Sequence, residues 1–138
     1  MSEANKHRGE CVVELEGAEY VLRPDFEAVA AIDDQCGSII ELAKRALSTQ
    51  ALSFREVSIV IAEGIKAQGR KTDNIGLKGT KLDRVQKMVF DAGMVAVLPA
   101  VVSFLAAAVT GGMKPDAGEA EAGTETTNSR SGSSKGQR

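Results

Sequence analysis

Between residues 10 and 23 the apolar side chains recur at every second position, the rhythm of a β-strand with one covered face. Cys11, Val13 and Leu15 precede Glu16-Gly17, and Tyr20 and Leu22 come after it. Gly17 supplies the positive φ that a tight hairpin turn needs. A two-residue turn pairs Leu15 with Ala18, Val13 with Tyr20 and Cys11 with Leu22, and sets these apolar residues on one face. It also puts Glu10 opposite Arg23, which is favourable, and Glu14 opposite Glu19, which is not. A lone hairpin is marginal in water, so this face must pack on the helices.

After Pro24 the period changes to that of helices. Asp25 caps a helix over 26–36 with Gly37 as its stop and Phe26, Val29, Ile32 and Cys36 on its inner side. Ser38 and Glu41 form a capping box for 39–47, whose apolar residues are Ile39, Ile40, Leu42, Ala43 and Leu47. Ser53 and Glu56 form another, opening a helix over 54–68 that stops at Gly69. Its expected buried stripe is Phe54, Val57, Ile61 and Ile65, with Arg55, Glu63 and Lys66 facing water. Residues 69–81 read as a long loop. Thr80 and Asp83 then cap a helix over 81–91, ended by Gly93.

From residue 92 to residue 113 there is no charge. A membrane span needs about 20 apolar residues. Pro99 interrupts this run, however, and is tolerated only in the first turn of a helix. That limits the helix to 96–109, about 20 Å long. Its many Ala and Gly residues also make insertion weak, so no membrane partner is expected. Val97, Leu98, Val101, Phe104, Leu105 and Ala108 form one face of this helix; Ala96, Ala100, Ser103 and Ala107 form a second, smooth one. A helix apolar all round is either fully buried or has a second apolar partner, and a fold of about 100 residues can rarely bury one helix completely. Ala96, Ala100, Val102, Ser103, Ala107 and Val109 are therefore the candidate partner-binding residues.

The fold class is α+β, mainly α: a short N-terminal hairpin on a bundle of about five helices. Residues 1–9 read as a flexible start, 10–111 as a single domain, and 112–138, rich in Gly, Ser, Thr and Glu, as a disordered tail. The net charge of −2 is not that of a nucleic-acid binder. Lys66, Arg70, Lys71, Lys78, Lys81, Arg84 and Lys87 give a local basic excess, but without interleaved aromatics they read as a solvated face. Residues 76–81 lack the order of a phosphate-binding loop. Asp33 and Asp34 are adjacent on a helix and do not converge. Cys11 and Cys36 with the lone His7 make no zinc set. No apolar leader is visible, so a reducing cytoplasmic setting is expected, with a Cys11–Cys36 disulfide as the alternative. No nucleophile–base pair can be assembled, so no enzyme and no cofactor are expected.

Three stretches carry a family resemblance. They are His7-Arg8-Gly9-Glu10 with Tyr20-Val21-Leu22-Arg23-Pro24-Asp25-Phe26-Glu27-Ala28 beyond the hairpin, then Ile32 to Ala43, then Ala92-Gly93-Met94 through Phe104-Leu105-Ala106-Ala107-Ala108. Together they resemble the small tail-assembly proteins of gene transfer agents and related tailed phages, over residues 7–112. The loop at 69–81 is longer here than in that pattern. The resemblance implies a tail assembly chaperone that binds the tape-measure protein or another tail protein, in a bacterial cell carrying a prophage or gene transfer agent cluster. The alternative it leaves open is a minor, tube-associated structural subunit that stays in the virion, with self-association. A membrane anchor through 94–112 and a nucleic-acid binder through the basic loop are the more distant readings.

Overall fold

The computed structural model describes residues 9–111. The expected flexible start up to residue 8 and the expected disordered tail from 112 to 138 lie outside the described residues. Strands β1 (Cys11–Leu15) and β2 (Ala18–Leu22) form an antiparallel pair. Helices α1 (Phe26–Cys36), α2 (Ile39–Ser48), α3 (Phe54–Thr72), α4 (Ile75–Lys78), α5 (Leu82–Ala92) and α6 (Met94–Val109) come next along the chain. This is the expected hairpin on helices, with the single-turn α4 added.

The register is the one the turn dictates: Cys11 opposite Leu22, Val13 opposite Tyr20, Leu15 opposite Ala18. Glu16 and Gly17 both have positive φ, as a type I′ turn requires. Val13, Leu15 and Leu22 are buried against the helices. Glu10 and Arg23 form the expected cross-strand ion pair, joined by the Lys71 ammonium 3.2 Å from Glu10, and both Glu10 and Arg23 are buried. Val21, on the other face, is buried as well. Here β2 lies along α3, and the Arg23 amide donates to the Gly64 carbonyl at 3.2 Å.

Helix α3 is the centre of the fold. Every residue from 57 to 65 is buried, because β2, α1, α4, α5 and α6 all pack on it. This corrects the expected single stripe. Glu63 does not face water; it is 7 % exposed, paired with Lys66 at 3.0 Å and accepting from the Gln35 amide at 3.1 Å. Phe54, in the first turn, is 36 % exposed. Gly69 does not stop the helix, which runs to Thr72 and ends on Asp73 in the left-handed region. A Cβ on Gly69 would lie 2.6 Å from the Lys78 amide nitrogen and 2.8 Å from the Leu77 Cβ. The glycine is there so that α4 can fold back onto α3. The expected long loop at 69–81 is thereby mostly helical.

Other boundaries shift for similar reasons. Phe26 is 85 % exposed, while Ile32 is buried and Val29 and Cys36 pack half-buried on the core as expected; Ala28, left out of that reading, is buried as well. Steps of three residues fall about 60° short of a full turn, so a chain of them drifts off the buried side, whereas the four-residue step from Ala28 to Ile32 stays on it. On α2 the inner residues are Ile39, Leu42, Ala43 and Ala46, while Ile40 and Leu47 face outward. Ser38 accepts from the Glu41 amide, but the Glu41 carboxylate lies toward Lys44 at 3.7 Å, so only half of that box forms. The Ser53–Glu56 box forms completely. The Thr80 hydroxyl donates to the Leu77 carbonyl at 2.7 Å; it closes α4 and does not cap α5, whose N-cap is Lys81. Helix α6 begins at Met94, earlier than expected, which leaves Pro99 inside it. Pro99 and Val95, four residues before it, are both exposed, so the carbonyl that Pro99 leaves without its amide partner lies on the outer side.

The Arg45 guanidinium grips Glu56 in two parallel bonds of 2.9 and 2.7 Å, and the Ser53 amide donates to the same carboxylate at 2.8 Å. This clamps the end of α2 to the start of α3. Arg45 foremost, then the Ser53 bonds, hold the Glu56 carboxyl down from 4.5 to about 2. Because the folded value is depressed, the clamp is fully stabilising above pH 4.5 and is lost as pH falls toward about 2. Glu56→Gln should flatten the acid limb of a stability-versus-pH curve across that window, and the loss should be smaller in high salt. An unchanged acid limb would refute the clamp. Gly→Ala at an ordinary helix position gains about 1 kcal/mol. Gly64→Ala meets the Leu22 Cβ at 2.9 Å and Gly69→Ala meets α4 backbone, so both should destabilise by about 1–3 kcal/mol in urea unfolding, Gly69→Ala more.

Candidate partner-binding surface

Helix α6 presents its large residues inward. Val97, Val101, Phe104 and Leu105 are buried, and Leu98 and Ala108 are half-buried against the same core. Val95 (82 % exposed), Ala96, Pro99 and Ser103 face outward, with Ala106 and Ala107 half-buried. No charged side chain lies on this strip.

The six candidate residues do not form one face. At about 100° per residue, Ala96, Ala100, Ser103 and Ala107 keep to one side of the strip and Val102 and Val109 to the other. Val95, Pro99 and Ala106 lie between them. Ala100 and Val102 are packed against the core, and the Ala100 carbonyl accepts from the Cys11 thiol at 3.3 Å. Ala96, Ser103, Ala107 and Val109 keep accessible surface, joined by Val95 and Pro99, which sequence reasoning missed. Starting the helix at Met94 in place of 96 would have put Val95 on the wheel, opposite Val97 and Val101.

A second apolar surface lies on α5. Phe90 is 76 % exposed, out of phase with the buried Val85, Met88 and Val89. With Phe54, Asp83, Gln86, Lys87 and Asp91 it lines an open groove of about 520 Å³. Sequence reasoning missed Phe90 too; the signal for it is its place about 100° or more around the helix from Val85, Met88 and Val89.

The remaining candidates are accounted for within the fold. The basic residues are largely paired: Lys66 with Glu63, Arg70 with Asp25 and Glu27, Lys71 with Glu10, Lys78 with Asp73 and Arg84 with Glu16. The Asp33 carboxylate accepts from the Ile39 amide at 2.9 Å, and Asp34 is exposed. Cys11 and Cys36 are free thiols. Burial foremost, then Glu10, pushes the Cys11 thiol up to about 11, and burial raises Cys36 as well. Both therefore stay protonated and poorly nucleophilic near neutral pH. Among the described residues no His, Cys, Asp or Glu cluster could hold a metal ion, and no helix is long and apolar enough to cross a membrane.

A family model described as "Phage tail tube protein, GTA-gp10" matches residues 8–111. No curated protein matches the chain, and no solved structure does. The matched span takes in every strand and helix of the fold, and the chain belongs to this gene transfer agent and phage tail protein family.

Proposed function

We propose that the protein is a structural, non-catalytic subunit associated with the tail tube of a phage or gene transfer agent, and that it docks on a neighbouring tail protein through the outer strip of α6. The observation that carries this reading is the tail tube family match across all of the folded elements. The charge-free strip from Val95 to Ser103 supports it physically: small, uncharged side chains let a neighbouring element approach closely and cost little desolvation. The same match favours a subunit that stays in the tail over a chaperone that coats the tape-measure protein and leaves. The chaperone reading rests on the sequence resemblance.

Quantitative mass spectrometry of purified particles separates the two. A tube-associated subunit is present in fixed proportion to the other tail proteins. A trace or no signal, together with rescue of tape-measure solubility on co-expression, would overturn the proposal in favour of the chaperone. Within the subunit reading, Ala96→Asp and Ser103→Asp should leave the melting temperature within about 2 °C, since surface changes stay near 0.5 kcal/mol, yet abolish incorporation into particles. Incorporation at the normal level would exclude the α6 strip. Ala100→Asp and Val102→Asp are poorer probes, because both positions pack on the core and a charge there tests folding as well.

A further inference from the structure

Exposed aromatic area and unpaired charge coincide on the outer face of α5. Phe90 and Phe54 line its groove together with Asp83, Lys87 and Asp91. These three charges stand four residues apart along one helix, the spacing at which helical ion pairs form. Yet none of the three is in an ion pair among the described residues, whereas Arg84 and Lys78 nearby are. The face is therefore an aromatic knob, a groove beside it, and an acid–base–acid rim whose charges are free to meet something else.

We propose that a second copy of this chain covers this face, with α5 antiparallel to α5 about a two-fold axis between residues 88 and 89. The outermost residues Asp83, Lys87 and Phe90 are spaced four and then three apart, the spacing of helices that pack along a seam. A two-fold interface must be complementary to itself. In a parallel pairing Lys87 would face Lys87, and each aspartate its own copy. In the antiparallel pairing each Lys87 lies over the partner's Phe90, a cation–π arrangement, and reaches the partner's Asp91. Each Phe90 enters the partner's groove beside the partner's Phe54. A standard interface covers about 800 Å² per partner, and an 11-residue helix is only about 16 Å long. The pair thus belongs to the small, reversible class, with a dissociation constant in the micromolar range. It uses residues other than the α6 strip and does not rest on the tail-subunit reading.

Sedimentation equilibrium of the full chain from about 1 to about 500 μM tests this. The wild type should pass from monomer to dimer within that range. Phe90→Asp should weaken dimerisation by about tenfold or more, with an unchanged circular-dichroism melt; Phe90→Gln serves if Phe90→Asp fails to fold. Lys87→Glu should weaken it as well, and Lys87→Glu combined with Asp91→Lys should recover part of the affinity, because the reversed ion pair is complementary again while the cation–π contact with Phe90 is not restored. A wild-type chain that stays monomeric throughout, a folded Phe90 variant that dimerises as tightly as the wild type, or a folded double variant no better than Lys87→Glu alone would each overturn the proposal.

Discussion

The stretch of α3 from Val57 to Ile65 has no side that water can reach, and the placement of the other elements comes from covering it. A run of Val-Ser-Ile-Val-Ile-Ala at the centre of a helix cannot be satisfied by one neighbour, since those side chains point around the whole circumference. The hairpin closes one side, through a contact so near that Gly64 has no room for a Cβ against Leu22. The α4 turn closes another at Gly69. Helices α1, α5 and α6 take the rest. The Arg45–Glu56 clamp and the complete Ser53–Glu56 box then hold the start of this helix where α2 delivers it.

That arrangement explains why α6 is left with an apolar outside. Helices α3 and α6 each carry a long apolar run, and only one of them can occupy the centre of so small a fold. Helix α3, apolar apart from Ser58 over Val57–Ala62 and charged toward both ends, takes it. Helix α6, with no charge anywhere, is peripheral: it packs on α2, α3, α5 and β1 and still shows Val95, Ala96, Pro99 and Ser103. Those residues are small apart from Val95, so the free subunit exposes little apolar area there. The strip is smooth where a core-facing surface would be knobbed.

Local chemistry was legible in the sequence, and the covering of α3 was not. The hairpin register comes from a two-residue turn and a two-residue period, both contained in fourteen consecutive positions, and Asp25 and Ser53 announce their helices within four residues. Gly69 shows the limit. A glycine near the end of a helical pattern reads as a stop by propensity, but here it answers a close approach by Leu77 and Lys78, a tertiary fact no local window contains. Glu63 reads as solvent-facing by its charge, yet it is buried because Lys66 and Gln35 satisfy it there. For the candidate surface the helix phase is decisive: starting α6 at 96 to keep Pro99 in the first turn removes Val95 from view and mixes the two flanks of the strip. The structure starts at Met94 and places Pro99 on the outer side, where the bond it cannot make costs least.

The two surfaces differ in what they can specify. The α6 strip carries no charge and few large residues, so it offers shape but little electrostatic selectivity, and a partner must be chosen by fit. The α5 face carries an aromatic anchor with a charged rim, the combination that sets register and excludes wrong partners. Neither is large enough alone to hold a chain tightly. In an assembly that repeats along a tail, weak contacts made together act at high effective concentration, and their combined hold far exceeds that of either one. On the proposed reading, a subunit with two modest, chemically distinct faces pairs only weakly and reversibly when alone and is held firmly only where both faces are engaged at once.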